Sequence, residues 1–248
     1  LLSPTDEFAD YETWAMEVPI FDTKEAREKR GYRDYDSWVA KHSQQKQKSA
    51  DWMRPYEYAR SALKLGLQEQ ARLGVNPFKF GMIGSTDSHT SLAAPDEDNF
   101  WGKQVPAEPS KDRIIKHMLP AEIAKNRSFS AAGYAAVWAE ENTREALFDA
   151  MKRKEVYATT GPRMTVRFFG GWDYHADESF KPDLAKIGYE KGVPMGADLT
   201  NAPKGKSPNF LIRAVKDPDG ANLDRVQVIK GWHDKEGELH EKVYNVAL

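Results

Sequence analysis

The sequence predicts an α/β body over residues 1–155 followed by a mainly antiparallel, β-rich unit over 156–248. Three observations carry this expectation. A helical apolar period over 55–74 runs through a short turn into an apolar, strand-like run at 78–83, the succession from which α/β units are built. A second helical stretch occupies 142–154. After Lys154 the period changes to that of strands, in short β-branched or aromatic runs separated by turn residues. No repeat at solenoid period is present.

Residues 1–54 are polar and read as loops and short helices, with Asp6, Glu7, Asp10 and Glu12 among Phe8, Tyr11 and Trp14. The helix that follows has Pro55 near its start, apolar residues at 56, 59, 62, 63 and 67, and Gly74 at its end. Asn76-Pro77 then turns the chain into the run 78–83. From Ser91 to Ala139 the chain reads as loop, with prolines at 95, 106, 109 and 120, and it is placed to form a lid or substrate wall or a surface excursion. Asn142-Thr143-Arg144-Glu145 resembles a capping box, in which Asn142 accepts from a backbone amide and Glu145 reaches back. The strands expected beyond it are 156–160, 164–169, 209–215, 225–230 and 240–246, an antiparallel sheet or sandwich.

Composition narrows the function classes. The 248 residues are 40% hydrophobic and 30% charged, as in a globular chain. A net charge of −2 argues against a nucleic-acid partner, because a broad phosphate-tracking surface is strongly basic. The absence of cysteine excludes disulfides, thiolate zinc sites and thiol nucleophiles. No apolar run is long enough to span a bilayer, so the chain is expected to be soluble. The compartment stays open, a periplasmic or exported parent protein being compatible with a Cys-free chain. The chain opens Leu1-Leu2-Ser3-Pro4 and closes within an alternating apolar pattern. Both ends therefore read as cut, with the upstream part of the same polypeptide missing and the β-rich unit truncated.

The most informative motif is Gly84-Ser85-Thr86-Asp87-Ser88-His89. It presents a carboxylate and an imidazole two positions apart, just after an apolar run, where α/β folds assemble their sites. In an extended segment, side chains two apart point the same way. A hard oxygen with a borderline nitrogen is a common ligand pair for Zn, Mn or Fe. The competing reading is a capped loop, with Asp87 bonding backbone amides and His89 packing at an edge. Ser85 and Thr86 would either orient the ligands or form the turn.

The hexad 84–89 is similar to the final metal-ligand motif of the PHP (polymerase and histidinol phosphatase) metallohydrolases, which ends in a Gly-Ser-Asp-x-His-type sequence. The stretch from Leu147 to Arg163, a short helix and then Tyr157-Ala158-Thr159-Thr160-Gly161-Pro162, resembles the module that follows that motif in one PHP-related bacterial group, domain of unknown function family 3604. The likeness runs from Ser3-Pro4-Thr5-Asp6-Glu7-Phe8 to the C-terminus. It implies a distorted β/α barrel, only partly present here, whose histidines and acids bind up to three metals that activate water against a phosphoester or another hydrolysable bond. Asp87 and His89 alone match ligand positions of this chain; the early His-x-His pair and the middle ligands of the family would lie upstream of Leu1. The resemblance thus implies a divalent metal (Zn, Mn or Fe) and a small-molecule or ester substrate in the parent protein.

Further residues have a functional and a plain reading. Lys103, in the loop after the ligands, would neutralise an anionic substrate or stand solvated. Arg163 would point back to the site or begin a strand. Asp6 and Glu7 would serve the site or cap a helix. His42, His117, His175, His233 and His240 lie in polar contexts without metal-ligand spacing. No Gly-x-Ser-x-Gly elbow, Walker motif or dinucleotide glycine pattern occurs. The leading expectation is a fragment of a metal-dependent hydrolase, inactive alone. The alternative is a noncatalytic binding module with a vestigial Asp-His pair.

Overall fold

The computed structural model describes residues 59–90, 111 and 133–247. The described residues divide into two compact units: one takes 59–79 and 227–247, the other 80–90, 111 and 133–226.

In the first unit, helix α1 (Ala59–Leu73) stands with the hairpin of strands β6 (Val226–His233) and β7 (Leu239–Ala247). The helix stops where expected: Gly74 takes a left-handed φ of 79° and its amide bonds Gln70 O at 2.9 Å. Residues 55–58, its expected first turn, lie outside the described residues. Its buried positions are Ser61 and Gly66, whereas Leu63 of the anticipated apolar stripe is exposed. Gly66 is required by a close approach, since a Cβ there would fall 2.2 Å from Asn76 Oδ1. A polar row one turn apart reaches the hairpin. Arg60 Nε donates to Glu241 Oε2 at 2.9 Å, Lys64 Nζ lies 3.0 Å from the same oxygen, and Gln68 Nε2 donates to Gly237 O at 3.1 Å. Burial pushes the Glu241 carboxyl up, but Arg60 and Lys64 outweigh it and hold it below the usual carboxylate range. The hairpin closes through Asp234 N to Glu238 O at 3.0 Å, with Gly237 at φ 87°.

In the second unit, β1 (Tyr134–Val137) pairs antiparallel with β2 (Val156–Thr159), Tyr134 opposite Thr159. Helix α2 (Arg144–Lys152) connects them. Its N-cap is Thr143, whose Oγ1 accepts from Ala146 N at 3.3 Å, one residue later than the capping box expected at Asn142. Asparagine and threonine both cap well, so composition could not separate adjacent candidates. The helix ends with Lys154 left-handed at φ 64°, and the Glu155 amide returns to Ala150 O at 3.0 Å. Strand β1 falls inside the stretch read as loop. Four residues of Tyr-Ala-Ala-Val are too short to show a period.

A three-stranded antiparallel sheet completes this unit, ordered β4-β3-β5. Strand β3 (Thr165–Gly171) is central, between β4 (Gly192–Pro194) and β5 (Asn209–Val215), with Phe169 opposite Leu211. A short 3₁₀ helix (Ala176–Phe180) and helix α3 (Leu184–Lys191), neither anticipated, lie between β3 and β4. They close the core of Phe169, Tyr174, Leu184 and Leu211, with Ala185 and Ile187 packed on it. Gly188 lets α3 lie on Phe169: a Cβ there would fall 2.5 Å from the ring. The Tyr174 hydroxyl donates to Gly188 O at 2.7 Å, and burial pushes its pKa above the usual tyrosine value.

The two sheets of this unit are joined by polar contacts. Trp138 Nε1 donates to Val166 O at 2.9 Å and Tyr157 Oη to Met164 O at 2.9 Å. The Arg167 guanidinium stands 3.2 Å from the centre of the Trp138 ring. Glu155, 3% exposed, accepts from the Tyr189 hydroxyl and faces Arg153 at 3.5 Å and Arg167 at 3.8 Å.

The β-rich expectation holds as small antiparallel sheets, and no long helix occurs between 205 and 247. The distorted β/α barrel is not seen: the sheets are separate, with two, three and two strands, and none closes among the described residues. The run 78–83, expected as a barrel strand, joins no sheet among the described residues, and Phe78, Phe80, Met82 and Ile83 are exposed. An apolar segment becomes a strand only where neighbouring backbone takes up its amides and carbonyls. No described helix is long and apolar enough to cross a membrane.

Candidate functional site

The loop 84–90 is anchored by a glycine. Gly84 donates its amide to Tyr134 O at 3.1 Å, and a Cβ on it would lie 2.5 Å from that oxygen and 2.8 Å from Thr159 O. Any larger residue would push the loop off the end of the β1–β2 pair. Gly133 approaches the same Thr159 carbonyl as closely. The Thr159 hydroxyl is buried there with no hydrogen-bond partner among the described residues.

Beyond Gly84, hydroxyls shape the backbone. Ser85 Oγ accepts from Asp87 N at 3.3 Å and Thr86 Oγ1 from Ser88 N at 3.4 Å, while Ser88 Oγ donates to Thr90 O at 3.3 Å. These side chains make the local turn bonds that serine and threonine form two residues along. Asp87 sits at φ 55°, the left-handed region, which aspartate tolerates better than most residues. Between its ends the loop brings Asp87 Oδ1 to 4.0 Å from His89 Nε2, with the side chains 57% and 50% exposed. Among the described residues no group of three or more His, Asp or Glu side chains is placed to hold a metal.

The other sequence candidates are dispersed. Lys103, Asp6, Glu7, His42 and His117 lie outside the described residues. Arg163 precedes β3; its amide donates to Asp217 Oδ2 at 2.5 Å and its guanidinium lies 5.5 Å from the Tyr134 ring centre. The Arg163 amide, with that of Asp219, holds the Asp217 carboxyl below its ordinary value. His175 caps the 3₁₀ helix, its amide donating to Glu178 Oε2 at 2.9 Å. A hydrogen bond from Lys191 is the main reason that the Glu178 carboxyl is depressed.

One acid-imidazole pair went unnoticed in the sequence. His240 Nε2 lies 2.5 Å from Asp234 Oδ2, while Asp234 Oδ1 accepts from the amides of Glu236 and Glu238 at 3.0 and 2.9 Å. The signal that would have found it is the turn: a hairpin closing over 234–238 brings residues 234 and 240 together across the strands.

The profile of a family described as "Protein of unknown function (DUF3604)" matches residues 27–248. No curated protein and no solved structure matches the chain.

Proposed function

The chain belongs to the DUF3604 family, and from that premise we propose that Asp87 and His89 are two ligands of a divalent-metal site in a PHP-like metal-dependent hydrolase. The observation that carries this reading is the 4.0 Å approach of a carboxylate oxygen and a ring nitrogen, both half exposed, on a loop held at its base by Gly84. Ligands sharing one ion at about 2.0–2.2 Å lie roughly 3–4 Å apart. The pair sits at the wide end of that range, and a small rotation of two exposed side chains closes it. Oxygen and nitrogen donors suit Zn, Mn or Fe.

Such a metal supplies an activated water for attack on a phosphoester or a comparable bond. Asp87 contributes a negative charge and an oxygen donor, and His89 a neutral ring nitrogen. Ser85 and Thr86 hold the turn that keeps both on one loop. Two donors do not complete a coordination sphere, so the remaining ligands come from outside the described residues. In this reading 1–155 belongs to the hydrolase body and 156–248 is an accessory β-rich part.

Calorimetric titration of Zn, Mn and Fe(II) into the 248-residue chain tests the ligand assignment. Asp87→Gly suits the left-handed backbone and removes the carboxylate; with His89→Ala it is expected to weaken binding by about tenfold or more. Equal affinity in the double variant would sink the assignment. Hydrolysis of generic phosphoesters by the chain alone is expected to be slight, and robust turnover that survives Asp87→Gly would place the chemistry elsewhere.

A further inference from the structure

We propose that the outward face of the β6–β7 hairpin binds an acidic polysaccharide, a sugar chain bearing carboxylate or sulfate groups. This surface is independent of the Asp87–His89 pair. Alternation along the strands puts Lys230 and Trp232 on one face with His240, Lys242 and Tyr244. Contacts on both sides fix which face this is. The Trp232 and His240 rings stack across the strands at 5.4 Å, while Glu241 and Gly231, on the other side, meet Arg60 and Lys64 of α1.

The register follows from three contacts: Asp234 N to Glu238 O, the Trp232–His240 stack, and Gln227 Nε2 to Asn245 Oδ1 at 2.9 Å. It sets Lys230 opposite Lys242. Like charges opposed across strands cost stability, yet among the described residues neither lysine has a carboxylate partner. Each instead lies over a ring, Lys230 Nζ 4.8 Å from the centre of Trp232 and Lys242 Nζ 4.9 Å from that of Tyr244. Of the hairpin's acids, Glu241 faces α1, Glu236 and Glu238 are at the tip, and Asp234, at the tip end of this same face, is taken up by His240 and by the amides of Glu236 and Glu238.

The indole N–H of Trp232 and the phenol O–H of Tyr244 also have no acceptor among the described residues. With Asp234 already engaged, the groups this face leaves for a ligand are two cations and two polar ring edges, all donors. Its complement brings negative charge and many acceptor oxygens, as a uronate or sulfated sugar chain does. A single-stranded nucleic acid fits less well, because base stacking needs free ring faces and here the rings are engaged by His240 and the lysines. The net charge of −2 also opposes phosphate tracking.

The test is calorimetric titration of the 248-residue chain with polygalacturonate and with dextran sulfate, neutral dextran and an oligodeoxynucleotide serving as comparisons. At least one acidic polymer is expected to bind, and to bind about tenfold or more weakly when salt is raised from about 0.05 M to about 0.5 M. Joint Lys230→Gln and Lys242→Gln substitution is expected to cause a comparable loss with an unchanged circular dichroism spectrum. Trp232→Phe, which keeps the ring and removes the donor, is expected to cost a few-fold. Glu236→Gln at the tip should leave affinity unchanged. The proposal fails if neither acidic polymer binds, if neutral dextran or the oligonucleotide binds as well, or if the Lys230/Lys242 variant and Trp232→Phe both retain full affinity.

Discussion

Single positions in this chain pull against their own chemistry, and each conflict can be measured. Lys154 ends α2 in the left-handed region at φ 64°, where a Cβ is strained and glycine is not. Lys154→Gly is expected to stabilise by about 0.5–1 kcal/mol, read as a higher urea midpoint with an unchanged slope. Gly188 is the opposite case. A methyl group there meets the Phe169 ring at 2.5 Å, so Gly188→Ala is expected to cost about 1–3 kcal/mol despite the better helix propensity of alanine. Glu155 is the buried acid on which Tyr189, Arg153 and Arg167 converge. Neutralising it as Glu155→Gln leaves Arg167 without its counter-charge, a loss of about 1–3 kcal/mol in the same denaturation measurement. A neutral result would mean that the pair's attraction is cancelled by its desolvation.

Among the elements, the β6–β7 hairpin owes its turn to one carboxylate. Asp234 accepts from two amides and bonds His240, and the His240 bond is the main cause of its depressed pKa. A depressed carboxyl stabilises above its unfolded value, near pH 3.9, and loses that contribution as pH falls through the lower folded value. The hairpin is therefore expected to hold from neutrality down to about pH 4 and loosen below it. Amide exchange at residues 236–240 across that range would show it, and Asp234→Asn should remove the acid-side step. The opposite face is tied to α1 by Glu241 under Arg60 and Lys64. Glu241→Gln is expected to cost about 1–2 kcal/mol, with the first exchange losses in α1 and β7.

For the whole molecule, α1 and the β6–β7 hairpin belong to one compact unit while β1 to β5 with α2 and α3 belong to the other. Units with separate cores open separately. Native-state hydrogen exchange is expected to divide the protected amides into two sets, α1 with β6 and β7 in one, β1 to β5 with α2 and α3 in the other. A single exchange free energy shared by both sets would contradict this.

What the sequence determined by itself was local. The strands at 156–159, 165–171, 209–215, 226–233 and 239–247 coincide closely with the alternating runs read from it, because alternation and the turns at Gly-Pro, Asp-Pro-Asp-Gly and Lys-Glu-Gly act over a few neighbours. Asp87 and His89 were legible as a pair for the same reason, being two residues apart. Tertiary structure decided what depends on distant partners. The run 78–83 is as apolar as any strand here, yet it joins no sheet among the described residues, because apolarity does not supply a ladder. Glu155 reads as an ordinary surface acid beside a helix end, and only the approach of Tyr189 and Arg167 makes it a buried junction. The pairing of α1 with a hairpin more than 150 residues away has no local signature: it rests on Arg60, Lys64 and Gln68 sharing one helix face, and on their partners being carried there by the rest of the fold.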